Sequence, residues 1–378
     1  MTEILTYLKE NQKEIEQTLL NLTKAESPSH DKELVDLCGE TLKTEFDMLI
    51  GGTSKVVKKE LVGNQYLFTY GDPDSKEQIL IVGHMDTVWD KGSLPIRREG
   101  DILYGPGVFD MKGGLTISLW ALKALKEQDI KGNKKVVLLV TTDEEVGSVE
   151  SKDIVIEEGR KSSLVLVPES SIEPDGAVKT ERKGAGKFYL HISGIAAHAG
   201  INAWDGASAI EELSYQIQDL KKLENREQGI SINVGVISGG SRSNVIAKDA
   251  YAEVDVRITK KEQAAEITEK ILNRPLFVKG TKTTVKGEIE RYPLERNDDV
   301  ISLYHELKEI AFTHGYELNE GSSGGASDGN FTAGEQIPTI DGLGPLGGGA
   351  HAENEHIVIS NLPVRAALLA ELLKKHLK

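Results

Sequence analysis

The chain has 378 residues, 39% hydrophobic and 28% charged, with a formal net charge of −15. That length sets an expectation of two domains, each large enough for a core of its own. The surplus of acid argues against nucleic acid or an anionic membrane surface as a partner, because both repel it.

The opening stretch MTEILTYLKENQKEIEQTLLNL carries acids and lysines throughout. It lacks the apolar core of a signal peptide, which leads us to expect a cytoplasmic protein. No apolar run anywhere approaches membrane-spanning length. Apolar spacing predicts helices over 3–22 and 31–45. Cys38, the only cysteine, falls on the apolar face of the second and is expected to be buried and inert, with no disulfide framework or thiolate cluster. Short strands near 56–60 and 65–70 precede EQILIVGHMDTV, a buried strand that ends at Gly83 and delivers His84 and Asp86. A helix over Gly113–Glu127, a strand at 135–141, a helix at 149–158 and a strand at 163–167 follow. Strands alternating with helices predict an α/β layer architecture with a largely parallel sheet, whose ligands collect beyond the carboxyl ends of the strands.

The pattern changes between Lys183 and Arg291. GKFYLHISG alternates as a half-buried strand, and DGASAIEELSYQIQDLKKLE reads as an amphipathic helix. ISINVGVISGG and AKDAYAEVDVRI are strands, EQAAEITEKILN a helix and KTTVKGEIE a last strand. The order β-α-β-β-α-β is the ferredoxin-like arrangement. We therefore expect a catalytic domain in two parts, 1–182 and 292–378, interrupted by an inserted lid or dimerisation domain at 183–291. Helices at 298–313 and 361–377 and a strand near 337–341 complete the outer domain.

The chemistry concentrates where strands end. VGHMDTV, GPGVFDMKGG, TTDEEVGS, VPESS and GGGAHAENEH supply His84, Asp110, Glu144, Glu145, Glu169 and His351. Two imidazoles with several carboxylates suit a pair of borderline divalent ions sharing one carboxylate. Such a pair generates a nucleophilic hydroxide and polarises a carbonyl, so a hydrolase leads. Residues two apart on a strand share a face, which points Asp86 with His84 and makes it the acceptor of the second ring N–H. Asp143, Glu144 and Glu145 together repel unless metal or protons neutralise them; one can bind metal while a neighbour takes a proton from water. Taken singly, each of these motifs is as compatible with a turn or a solvated loop. The inference comes from their joint occurrence.

HMDTV, FDMKGG, TDEEVGS, the Glu169 segment, AAHAG and GGGAH occur in an order that resembles the dinuclear zinc exopeptidases. That family includes glutamate carboxypeptidases of the folate-cleaving type, aminoacylases, desuccinylases and tripeptide aminopeptidases. The resemblance implies His84 and Glu169 on one metal, Glu145 and His351 on the other, Asp110 bridging, and Glu144 as general base. It implies two divalent ions, Zn2+ above all, with Co2+ or Mn2+ as alternatives. It also implies a cis peptide after Asp110, and a homodimer paired through the inserted domain in which His198 reaches a partner's site and stabilises the oxyanion. Asn244 and Arg257 match positions that hold a substrate carboxylate; a turn and a strand-face ion pair are their plain alternatives. Arg291 is a further candidate, with Arg296 competing for its role. His356 competes with His351. The chain departs from the family where Glu169 is followed by Ser-Ser instead of an acidic-Pro step.

The expected activity is removal of a C-terminal amino acid, glutamate-like in one version, from a peptide or N-acyl amino acid. A metal-bridging hydroxide would attack and Glu144 would act as base. The alternatives are a di- or tripeptide aminopeptidase, a deacylase of the same family, and a non-catalytic binding protein on the same scaffold.

Overall fold

The computed structural model describes residues 2–378 and divides the chain into two compact units. The first comprises residues up to Glu181, Arg296–Ser323 and Ser327–Lys378; the second comprises Arg182–Glu295 with Gly324–Ala326.

A six-stranded mixed sheet organises the first unit. Gln78–His84 lies between Lys135–Thr141 and Ser162–Leu166, parallel to both, and Thr339–Ile340 extends the parallel part. Gln65–Tyr70 and Thr53–Val57 add antiparallel strands at one edge. The apolar runs are continuous because both faces are covered. Ile79, Ile81, Leu138 and Val140 pack into one core with the helices Gly113–Glu127 and Leu362–His376. Leu80, Val82, Leu139 and Val165 pack into another with Val155 and Phe331. Each such side chain, fully buried, contributes about 1.5–3 kcal/mol. His84 is in register with Thr141, so the loops after these two strands leave the sheet at the same edge.

The expected helix over 3–22 is two helices, Glu3–Glu10 and Gln12–Lys24. Asn11 breaks them, its side-chain amide donating to Tyr7 O at 2.8 Å and competing with the backbone ladder. Cys38 is buried on the Lys32–Leu49 helix. A further four-stranded sheet, Gly347–Gly348, His356–Val358, Ile102–Tyr104 and Arg97–Glu99, was not anticipated. Strands of two or three residues are too short to show a period, yet this sheet fixes both ends of the loop that carries His351.

The second unit contains the strands Gly184–Ser193, Ser231–Gly239, Asp249–Ile258 and Lys282–Arg291 with the helices Ala209–Lys221 and Gln263–Leu272. Gly184–Ser193 and Asp249–Ile258 are the central pair, Lys282–Arg291 and Ser231–Gly239 the edges, and all pairs are antiparallel. This is the ferredoxin-like arrangement. Phe188, Leu190, Val254, Val256, Leu213 and Ile267 form a core separate from that of the first unit. The unit closes on itself where Arg182 and Leu294 exchange backbone hydrogen bonds of 2.9 and 3.1 Å. The Arg182 guanidinium adds a bond of 3.0 Å to Gly325 O. Among the described residues no helix is long and apolar enough to cross a membrane.

Candidate metal centre

Asp110 lies in the turn Val108–Lys112 that leads into the Gly113–Glu127 helix, and its peptide bond to Met111 is cis. The turn needs glycine at 107, where φ is +72° and a Cβ would meet Thr87 Cγ2 at 2.7 Å. One oxygen of Asp110 stands 3.3 Å from His84 Nε2 and the other 3.5 Å from His351 Nε2. Glu169 Oε1 is 3.3 Å from His84 Nε2, and Glu145 Oε2 is 3.0 Å from His351 Nε2. Each imidazole therefore has its own glutamate, and the two share one aspartate.

The donor atoms of His84, Asp110 and Glu145 all lie within 4.8 Å of one another. Glu145 Oε1 is buried with no hydrogen-bond partner. A buried carboxylate oxygen left unpaired is costly, and a cation is its natural counterpart. On these observations the residues fit a pair of divalent ions.

The electrostatics agree. Burial alone would depress His84, but its hydrogen bonds to Asp110, Asp86 and Glu169 override that and hold its pKa well above the ordinary value. His351 is pushed up to about 10 by its bonds to Asp110 and Glu145. Burial raises the Glu145 carboxyl. Burial also opposes ionisation of Asp110, yet the two imidazoles bring it well below the usual carboxylate range.

The remaining candidates fall into place around this cluster or in the second unit. Asp86 is fully buried and stands 3.5 Å from His84 Nδ1. Its oxygens accept the backbone N–H groups of Glu144 and Glu145 at 3.3 Å each and the Ser29 hydroxyl at 2.7 Å. The hydrogen bond of His84 Nδ1 goes to the main-chain carbonyl of Asp86 at 3.0 Å, so Asp86 orients the ring through its backbone while its carboxylate holds the acidic loop. Asp143 turns inward, accepting from Glu150 N at 2.8 Å and from the Ser151 hydroxyl. Glu144, between Asp143 and Glu145 in sequence, is half-buried. His356 lies in the short strand His356–Val358 with its ring against Tyr104 and Nδ1 on Asn354 O, apart from the cluster. His351 adopts φ +61°, a left-handed conformation uncommon for residues other than glycine.

In the second unit, His198 bridges to Val245, and Ala199 N donates to Asn244 O at 3.0 Å, so His198 and Asn244 are neighbours. Arg257 gives Nε and Nη2 to Asp255 at 2.8 Å each. Arg257 and Arg291 both oppose Ala185, on either side of the central strand. Arg296, in the first unit, forks onto Glu320 at 2.7 and 2.8 Å.

Sequence reasoning missed the groups that support the cluster. Asp328 stands at the start of the short helix Gly329–Gly334 without a side-chain capping bond. Its carboxylate instead accepts from Ser148 and Thr141 at 2.5 and 2.8 Å, beside the acidic loop. Arg365, fully buried, donates to the carbonyls of Gly176, Gly342 and Gly344 and pins the chain that approaches His351. Lys112, also buried, donates to Leu22 O and Ala25 O. These partners are backbone atoms or hydroxyls, for which no residue spacing gives a signal.

Paired imidazole–glutamate sets sharing one aspartate at the carboxyl edge of a parallel sheet define a metal-dependent hydrolase. Residues 80–375 match the model of peptidase family M20/M25/M40, and the chain belongs to that family. It is 29% identical over 369 residues to carboxypeptidase G2 of Pseudomonas sp. strain RS-16, covering 94% of this chain and 88% of that protein. Among solved structures, a Staphylococcus aureus tripeptidase superposes with a TM-score of 0.78 at 23% identity, covering 97% of this chain and 98% of that one. An M20 family metallo-carboxypeptidase of Sulfolobus solfataricus gives 0.73 at 20% identity, covering 99% of each. At these identities the two structures speak for the fold.

Proposed function

We propose that this M20 metallopeptidase removes a C-terminal amino acid, glutamate-like in its side chain, from small peptides or N-acyl amino acids. The observation that carries the hydrolytic reading is Asp110 facing His84 with one oxygen and His351 with the other. The carboxypeptidase reading is supported by the similarity to carboxypeptidase G2 along nearly the whole chain.

His84, Glu169, Asp110, Glu145 and His351 would hold two divalent ions, zinc in our proposal. When bound, such a pair polarises the scissile carbonyl and acidifies water. Glu144 accepts the proton of the attacking water and delivers it to the leaving amine, a transfer worth about a hundred- to ten-thousand-fold. Asp86 keeps His84 in one tautomer and fixes the main chain under Glu144. His198 donates to the oxyanion in a partner subunit's site of a homodimer. Asn244 receives the substrate carboxylate together with Arg257 and Arg291. Arg257 also pairs with Asp255 in the free protein.

The test is a zinc-replete screen of N-acyl amino acids, N-blocked dipeptides and free-amine di- and tripeptides. Cleavage of N-blocked dipeptides that keep a free C-terminal carboxylate, with or without N-acyl amino acids, is the expected result. Turnover only of free-amine peptides would make the protein an aminopeptidase, and turnover only of N-acyl amino acids a deacylase. No zinc-dependent turnover of any class would return it to a binding protein.

A further inference from the structure

The carboxylate nearest the Asp110 backbone belongs to neither the ligand set nor the proton transfer. Glu355 is 1% exposed. Its Oε1 accepts the N–H of Phe109 at 2.9 Å and of Asp110 at 3.1 Å; its Oε2 accepts Gly107 N–H at 3.2 Å and the Trp89 indole N–H at 2.6 Å. Four N–H donors converge on one buried side chain, and three of them belong to the turn that ends in Asp110. An acceptor-only ring of this kind requires an ionised carboxylate, since an amide in its place would aim two N–H groups at N–H groups.

Glu355 also lies four residues after His351. Ala352 N bonds to Gly349 O and Glu355 N to Ala352 O, so the two side chains belong to one tightly wound loop. The segment that presents one imidazole therefore grips the main chain of the aspartate that this imidazole faces.

We propose that Glu355 is a positioning residue that sets the bridging carboxylate of Asp110 before metal arrives. By this means it governs the affinity of both metal positions at once. The inference rests on the reading of Asp110 as the shared ligand. A carboxylate that merely stabilised the loop would leave metal affinity alone once the protein had folded. One that holds the bridge in place would change both sites together, because Asp110 serves both.

The experiment titrates Zn2+ into metal-free wild-type and Glu355→Gln protein in competition with a chromophoric chelator. The thermal midpoint of each metal-free protein is measured alongside. We expect both affinities to fall together by about ten- to hundred-fold, the range for groups that orient ligands. Trp89→Phe removes one of the four donors and should weaken both sites by less. Unchanged zinc affinity, with or without a lower thermal midpoint, would overturn the proposal, as would weakening confined to one site. Should Glu355→Gln fail to fold, amide exchange in metal-free wild-type protein decides. Protection of the Gly107, Phe109 and Asp110 amides supports a turn organised in advance, and exchange at unfolded-chain rates refutes it. Wild-type protein that takes up fewer than two ions would instead defeat the shared-ligand reading itself, an outcome that the wild-type isotherm separates from failure of Glu355.

Discussion

His351 Nε2 stands 3.0 Å from Glu145 Oε2, while the second oxygen of Glu145 is buried and unpartnered. The two residues lie about two hundred positions apart in the chain, and an incomplete carboxylate between them is an invitation to a cation. Elemental analysis should therefore find two divalent ions per chain in fully active protein. Asp110→Ala should lose both together, because its two oxygens face the two imidazoles separately. At most one ion at full activity would contradict the reading.

Glu144→Gln should keep its metal and lose about two to four orders of magnitude in kcat, since an amide cannot take a proton from water. Single-turnover kinetics and metal analysis on the same preparation check this. Metal loss in this variant would mean that Glu144 and Glu145 have exchanged roles.

Without metal, His351 keeps its proton up to about pH 10, held by Asp110 and then by Glu145. Metal requires the neutral ring. The sign follows directly: at neutral pH each ion must expel bound protons, so uptake should release protons to the buffer. Apparent affinity should fall as pH falls. Calorimetric titration in buffers of different ionisation enthalpy would reveal the release, and affinity independent of pH between 6 and 8 would count against it.

His198→Ala should cost turnover and spare metal content, as expected for a donor to the transition state alone. Mixing it with Glu144→Gln subunits distinguishes the routes. If His198 works in trans, hybrid dimers regain one intact site and activity returns. No recovery, with subunit exchange verified by mass spectrometry, would assign His198 to its own chain.

What was legible in the sequence was whatever sat at the end of a long apolar run. Ile79–Val82 and Val136–Val140 announce strands buried on both faces, and His84 and Glu145 follow directly from their ends. The inserted unit was equally legible, because strands such as Gly184–Ser193 alternate over ten residues. The break at Asn11 was not, since one side-chain amide bonded to Tyr7 O overrides a helical pattern that runs through it. Nor was Glu355, whose partners are three main-chain N–H groups and an indole far away in the chain. A carboxylate in GGGAHAENEH looks like any solvated acid until the fold brings Gly107–Asp110 to it.

The first unit is discontinuous, and this dictates the order in which the chain can fold. During synthesis, residues up to Glu181 emerge with the central strands but without Thr339–Ile340 or Leu362–His376. The helix Gly113–Glu127 then lacks the C-terminal helix that covers it in the finished protein. The insert, by contrast, is complete in one stretch apart from Gly324–Ala326 and has its own core. Domains fold as units while the ribosome advances at roughly 5–20 residues per second. The inserted unit can thus reach its native state first, while the part of the chain that will hold metal waits, partly exposed, for its last eighty or so residues. Apolar surface left uncovered in that interval is the kind that favours aggregation.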